Sequence, residues 1–345
     1  MTRVPRYIPA AQRGFTMIEL TVSLLLGLLV VGAAGSIFLS NQRVYGSTEA
    51  INRIQENQRS AFEMLARDIR EAGTNPCLRF TATVQPVMQI NPPDTATWAR
   101  FANAISGVDG SGAGGSDEIT LYSGAGTVYS VSQHRRSTDP LTVSTPTAGI
   151  ANGQQLMVCN TDNAIAFSAT NVVAGGTTIG HDTPSNCGKS LTPRPDSTQC
   201  TQTAAGPGYC FWLGAPATAA DVTSCPGGIG NSPAFVVVPV NARWTVATNG
   251  RGSNSLWRTV GTGAPSEIAE GVSAVNLTYK IGNSANYVDA SAVTDWAQVS
   301  AVHVQMTFQA VTGALSANQI KGTDNNALSR QLDDYIVLRN HQDIQ

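Results

Sequence analysis

Between Phe15 and Leu39 nearly every residue is apolar or small, and the one charge in that run is Glu19. A helix over this stretch is roughly 37 Å long, enough to cross the ~30 Å hydrocarbon core of a bilayer. The residues before it include Arg3, Arg6 and Arg13 and no acid. Basic residues ahead of a span keep its leading end on the cytoplasmic side. Whatever follows Leu39 therefore folds on the far side of a membrane.

Glu19 narrows the reading further. A carboxylate near the start of a spanning helix costs on the order of 2.5–3.5 kcal/mol even on mild insertion scales, so a partner and a purpose are expected. The best-fitting partner is an α-amino group created by cutting the chain just before Phe15, on the same chain or on a neighbouring subunit. Such a pair in lipid would register one subunit against the next. Three plainer readings compete. A secretory signal has an apolar core of about 7–15 residues ending at a small-residue site. Gly32-Ala33-Ala34 could serve as that site, but Glu19 sits badly inside such a core. A plain anchor explains the length and the arginines and leaves Glu19 without a role. Chance placement, with the carboxylate snorkelling to the interface, is the third.

Gly14-Phe15-Thr16-Met17-Ile18-Glu19-Leu20 resembles the class III signal of type IV prepilins and type II secretion pseudopilins. The resemblance implies cleavage after Gly14 by a prepilin peptidase and N-methylation of Phe15. It also implies a subunit-registering role for Glu19. Removing residues 1–14 takes away three arginines and no acid, moving the formal side-chain charge from −2 to −5.

Helical periodicity continues past the apolar run. Val44, Ile51, Ile54, Phe62, Leu65 and Ile69 recur at threes, fours and sevens, as on a stripe packed against a domain. Glu63 stands four residues before Arg67, the favourable order for a surface pair. Gly73, followed by Asn75-Pro76, reads as a stop. One helix is expected from about Thr16 to Ala72, with residues 15–39 in the membrane and 40–73 amphipathic. The runs Ile54-Gln55-Glu56-Asn57-Gln58-Arg59-Ser60-Ala61-Phe62 and Leu65-Ala66-Arg67-Asp68-Ile69-Arg70-Glu71-Ala72-Gly73 resemble those of PilW-like minor pilins, which often carry a cysteine soon after, as Cys77 is here. Where many major pilins have a mid-span proline, this chain has Ser36 beside Gly32 and Gly35.

Residues 74–345 read differently. Charged residues make up 13% of the chain, against roughly 25% in ordinary soluble domains, and Gly (33 residues) is plentiful. That mixture suits short strands joined by polar loops. Strands are expected at Glu118–Tyr122, Thr127–Val131, Gln154–Cys159, Ala234–Val240, Leu256–Val260, Ala274–Ile281, Ala301–Gln309 and Tyr335–Leu338, with loops at Gly107–Ser116 and Thr183–Gly208. The ending Tyr335-Ile336-Val337-Leu338-Arg339-Asn340 resembles the last strand of PilW-like chains. Cys77, Cys159, Cys187, Cys200, Cys210 and Cys225 show no C-x₂-C spacing, and an even count points to disulfides in an oxidising compartment. Six cysteines allow about 15 full pairings, and crowding within 187–225 favours a local one.

Other chemistry finds little footing. Gly110-x-Gly112-x-x-Gly115 matches a dinucleotide fingerprint by letter but precedes a strand. Gly188-Lys189-Ser190 has Thr183 where a phosphate loop needs its first glycine. His134, His181, His303 and His341 show no metal spacing, and Asp162, Asp221 and Asp324-Asn325-Asn326 read as solvated turns rather than a calcium loop. Arg135-Arg136 reads as an exposed pair, and Trp257-Arg258 is an aromatic–basic neighbour pair of the kind that would favour DNA. No nucleophile–base pair stands out, so no catalysis, metal, cofactor or small-molecule substrate is expected, and no direct nucleic-acid binding.

The fold expected is α+β and pilin-like: a long N-terminal helix, membrane-spanning in its first half, packed on a C-terminal antiparallel β-rich domain with disulfides. The resemblance implies a minor pilin that joins other minor pilins and the major pilin through its helix, primes type IV pilus assembly and ends at the tip. Adhesion, twitching motility or DNA uptake would lie downstream. Its implied location is the inner membrane with a periplasmic head, then an extracellular pilus. A type II secretion pseudopilin is the alternative. Small residues four apart, Ser23/Gly27 and Gly32/Ser36, would let helices approach closely in lipid.

Overall fold

The computed structural model describes residues 14–74, 76–77, 87–91, 103–182, 184–191, 208–212, 218–225, 228–230, 232–311 and 327–339. Helix α1 runs unbroken from Met17 to Glu71, with Gly32, Gly35 and Ser36 inside it. At its end Gly73 takes a φ of 74°. In that left-handed conformation its N–H turns away from the helix and donates to the Tyr122 carbonyl at 2.8 Å. The helix therefore stops where the sequence indicates, and the stop is itself tied to the sheet.

Every residue from Gly14 to Tyr45 is exposed, and burial begins at Gly46. Beyond it Ala50, Ile54, Ala61, Leu65, Ala66, Asp68, Ile69 and Ala72 face the head. Val44, expected on the packed stripe, is exposed because the head reaches the helix only from Gly46 onward. The expected Glu63–Arg67 order is not the one adopted. Glu63 accepts from Arg59 at 2.8 Å, and Arg67 lies 3.9 Å from Glu71.

The head holds two sheets. Strands β1 (Val87–Met88), β6 (Ala164–Ser168), β5 (Gln155–Cys159), β8 (Phe235–Thr248), β3 (Glu118–Gln133), β4 (Leu141–Val143) and β7 (Thr178–Ile179) lie side by side in that order. Strand β2 (Ile105–Val108) adds to β3, while β9 (Asn254–Val260) joins β8 and carries β10 (Ser266–Glu270). The second sheet runs β12 (Tyr287–Val288), β11 (Val272–Ile281), β13 (Val299–Gln309), β14 (Ser329–Val337). Among these pairings only β1 with β6 is parallel. The antiparallel β-rich head under a long helix is thus the architecture adopted.

Two of the expected strands are halves of one. Glu118–Tyr122 and Thr127–Val131 belong to β3, whose register against β8 slips between Ser123 and Thr127, a bulge spanning Gly124-Ala125-Gly126. The expected loop at Gly107–Ser116 begins two residues too early, since Gly107 and Val108 close β2.

The slip in β3 also divides the core. On one side Ile119 and Leu121 of β3, Trp244 and Val246 of β8 and the inner face of the second sheet enclose Ile54, Leu65 and Ile69 of α1. On the other side Tyr129 and Val131 of β3, Val236 of β8 and Phe167 of β6 form a second cluster with Leu141, Leu156, Ile179 and Phe211. No residue of α1 belongs to that second cluster. Strands β3 and β8 are long enough to serve both.

Candidate functional site

Two features stand out, the exposed helix and the joint that fastens it to the head. At the helix start Thr16 is the N-cap, in extended conformation. Its hydroxyl accepts from the Glu19 N–H at 3.2 Å, and Glu19 Oε2 accepts from the Thr16 N–H and hydroxyl, each at 3.0 Å. This reciprocal capping box satisfies two otherwise unpaired donors, and a negative charge in the first turn suits the positive end of the helix dipole. The carboxylate expected to wait for an amine thus has an internal partner, Thr16, one residue from Phe15. Both bonds fall on Oε2, and Phe15 itself is exposed.

Along the apolar stretch the hydroxyls turn inward to their own backbone. Ser23 donates to Glu19 O at 2.7 Å and Ser36 to Ala33 O at 2.8 Å. A Cβ placed on Gly27, Gly32 or Gly35 would meet nothing within 4 Å. The two small-residue pairs therefore sit on open helix surface.

Asp68 fastens the helix, and it is the residue the sequence reading passed over. Its carboxylate accepts from Trp244 Nε1 at 3.0 Å and from Arg258 Nε at 2.6 Å, with Arg258 Nη2 3.3 Å from the other oxygen. The side chain is 6% exposed, and that of Arg258 23%. A forked, charge-assisted contact of this kind is directional as well as strong. Asn57 adds a bond to the carbonyl of Glu270 at 2.9 Å. In the amino-acid string Asp68 looks like part of a charged surface run. Its spacing from Ala61, Leu65 and Ala72 places it instead on the buried face, and that spacing is the signal that could have found it.

This joint also disposes of the aromatic–basic pair. Arg258 is spent on Asp68, and Trp257 Nε1 donates to the Ala247 carbonyl at 3.2 Å. Arg135 is not simply exposed either. Its guanidinium lies 4.4 Å from the centre of the Trp212 ring and pairs with Asp221 at 2.9 Å, while Arg136 remains exposed.

Asp221 caps helix α2 (Ala219–Ser224) from within. The Thr218 amide and hydroxyl, with Arg135, hold its carboxyl below the usual range. Asp162 donates its N–H to the Asn160 side chain in a local turn. The glycine fingerprint at 110–115 forms the turn between β2 and β3, with Gly110 at a φ of 63° and Gly115 at 74°. His303 pairs with Asp333 at 2.8 Å. His341 and Asp324-Asn325-Asn326 lie outside the described residues.

Cys77 bonds to Cys159 across a sequence separation of 82, and Cys210 to Cys225 across 15. Cys187 is also disulfide-bonded, while Cys200 lies outside the described residues. The local pairing favoured by the crowding holds for 210–225. The long bridge ties the segment leaving α1 to β5.

Residues 9–35 match the family model for the prokaryotic N-terminal methylation motif, a span that contains Gly14, Phe15 and Glu19. No curated protein matches the chain by sequence. Among solved structures, a type IV-like pilin from Thermus thermophilus aligns over 84% of this chain and 97% of its own, at 10% identity and a TM-score of 0.29. That likeness is too loose to carry an argument about the fold. The motif is short against 345 residues and speaks for the N-terminus alone.

Proposed function

We propose that the chain is a type IV prepilin, cut after Gly14 and N-methylated on Phe15, whose helix packs into a filament. The observation that carries this reading is the methylation motif placed on a helix bare from Phe15 to Tyr45. A bare apolar helix of that length belongs in lipid or in a bundle of like helices. Glu19 would meet the methylated amine of a neighbouring subunit and set the axial step between them. The apolar helix supplies adhesion between subunits, Asp68 holds the head rigidly to it, and the head is what the filament presents.

More finely, the chain acts as a PilW-like minor pilin. It waits in the inner membrane with a periplasmic head, joins other minor pilins to prime assembly with the major pilin, and ends at the tip. The run from Ile54 to Gly73 supports this over a type II secretion pseudopilin, the second reading. The motif and the bare helix serve either machine. The role is structural rather than catalytic.

Intact mass and N-terminal sequencing of the protein from native membranes test the route. A chain beginning at N-methylated Phe15 is expected. A chain beginning at Met1 or near Ala34 would return it to the anchored or secreted proteins. In the same cells Glu19→Gln should leave processing intact and remove the protein from sheared filaments. Unchanged filament content would sink the registration role.

A further inference from the structure

His134 and His181 lie in the second cluster at 0% and 2% exposure, with ring centroids 5.5 Å apart, edge to face. His134 follows β3, and its Nδ1 is 2.9 Å from the Phe211 amide nitrogen. That amide can only donate, so Nδ1 holds a lone pair and the ring proton is on Nε2. His181 follows β7, and its Nε2 is 2.6 Å from the Asp139 carbonyl. A carbonyl only accepts, so this ring too is protonated at Nε2 and keeps a lone pair on Nδ1. Two ring nitrogens are left, His134 Nε2 as donor and His181 Nδ1 as acceptor, and among the described residues neither makes a hydrogen bond. Neighbouring buried rings thus offer each other complementary groups, and leaving both unmade would cost the fold.

We propose that these histidines form a latch on the second cluster, joined as His134 Nε2–H to His181 Nδ1 through one buried water, and opened by a proton on either ring. A proton on His134 Nδ1 confronts the Phe211 N–H, donor against donor. One on His181 Nδ1 turns that ring's acceptor into a second donor. Either would also place a charge beside Phe167 and Phe211.

The surrounding charges do not rescue a charged ring. Arg135, next to His134, is cationic and engaged by Asp221 and Trp212. Asp182, next to His181, already accepts from Thr170 and Asn171, and Lys189 stands near it. Burial outweighs them all, pushing His134 down to about 3 and His181 below its ordinary value. The latch joins the ends of β3 and β7 to the segment carrying Phe211 and the Cys210–Cys225 loop. Both native values lie under the unfolded one near 6.5, so the stabilisation is whole above about 6.5 and is lost as the pH falls.

The test uses the full chain in detergent micelles with ¹⁵N-labelled histidine. At pH 7 both rings should show the Nε2–H tautomer and stay neutral to pH 5. Between pH 6.5 and 4.5, exchange protection of the Phe211 amide should fall at least tenfold relative to Leu277 in the first cluster. His181→Asn, which keeps an acceptor near Nδ1 and cannot titrate, should at least halve that fall on a logarithmic scale. An Nδ1–H tautomer on either ring overturns the proposal, as does a ring titrating near 6.5. So does Phe211 protection that tracks Leu277. These wild-type readings stand even if the variant fails to fold.

Discussion

Asp68→Ala is the substitution on which the attachment of helix to head can be judged. It removes the acceptor for two donors at once. The Trp244 indole N–H is left unpaired in a side chain 2% exposed, and the Arg258 guanidinium loses its counter-charge. Removing one partner of a buried ion pair costs about 3–5 kcal/mol. Arg258 keeps some access to water, which argues for the lower end, while an orphaned indole N–H adds about 1–3 kcal/mol. A net loss of about 4 kcal/mol is expected, a large part of the roughly 5–15 kcal/mol that holds a domain together. Urea unfolding of the full chain in detergent micelles, followed by tryptophan fluorescence, reads it as a lower midpoint at unchanged slope. Arg258→Met alone should also destabilise, because it strands the carboxylate. The double variant Asp68→Leu/Arg258→Met should cost clearly less than the sum of its parts, since no buried charge then remains. A loss under about 1 kcal/mol for Asp68→Ala, or strict additivity in the double variant, would refute the reasoning.

Two further outcomes follow from the geometry. Serine at both Cys77 and Cys159 should cost about 4 kcal/mol, and serine at both Cys210 and Cys225 about 3, because the first bridge closes the longer loop. Calorimetry ranking them in reverse order would sink the loop-closure account. Gly107→Ala places a Cβ 2.2 Å from the Tyr279 hydroxyl and 2.7 Å from its ring carbon, with Trp296 edge-on to that ring at 4.9 Å. The ring has nowhere to retreat, so a loss of about 1–3 kcal/mol is expected, and an unchanged melting temperature would contradict it.

The helix was legible almost to the residue. Its apolar run and its glycine stop act locally, and local signals survive in a string of letters. The strands that alternate, such as Val299–Gln309, were legible for the same reason. Ala164–Ser168 was not, because all five residues are buried and the run shows no alternation. Leu141–Val143 is too short to carry a period. The bridge from Cys77 to Cys159 depends on which strand the chain meets after leaving the helix, and spacing holds no record of that. Asp68 hid among Arg67, Arg70 and Glu71, where a carboxylate is usually solvated. His134 and His181 lie too far apart in the chain for any motif to join them.

The slip in β3 between Ser123 and Thr127 has a meaning for inheritance. On the near side of it, substitutions meet Ile54, Leu65 and Ile69, so whatever changes there is answerable to the helix. On the far side they meet Tyr129, Phe167 and Phe211 and no helix residue. A lineage can rewrite the far end of this molecule repeatedly, altering the surface it shows to its surroundings, and leave untouched the part that holds the helix.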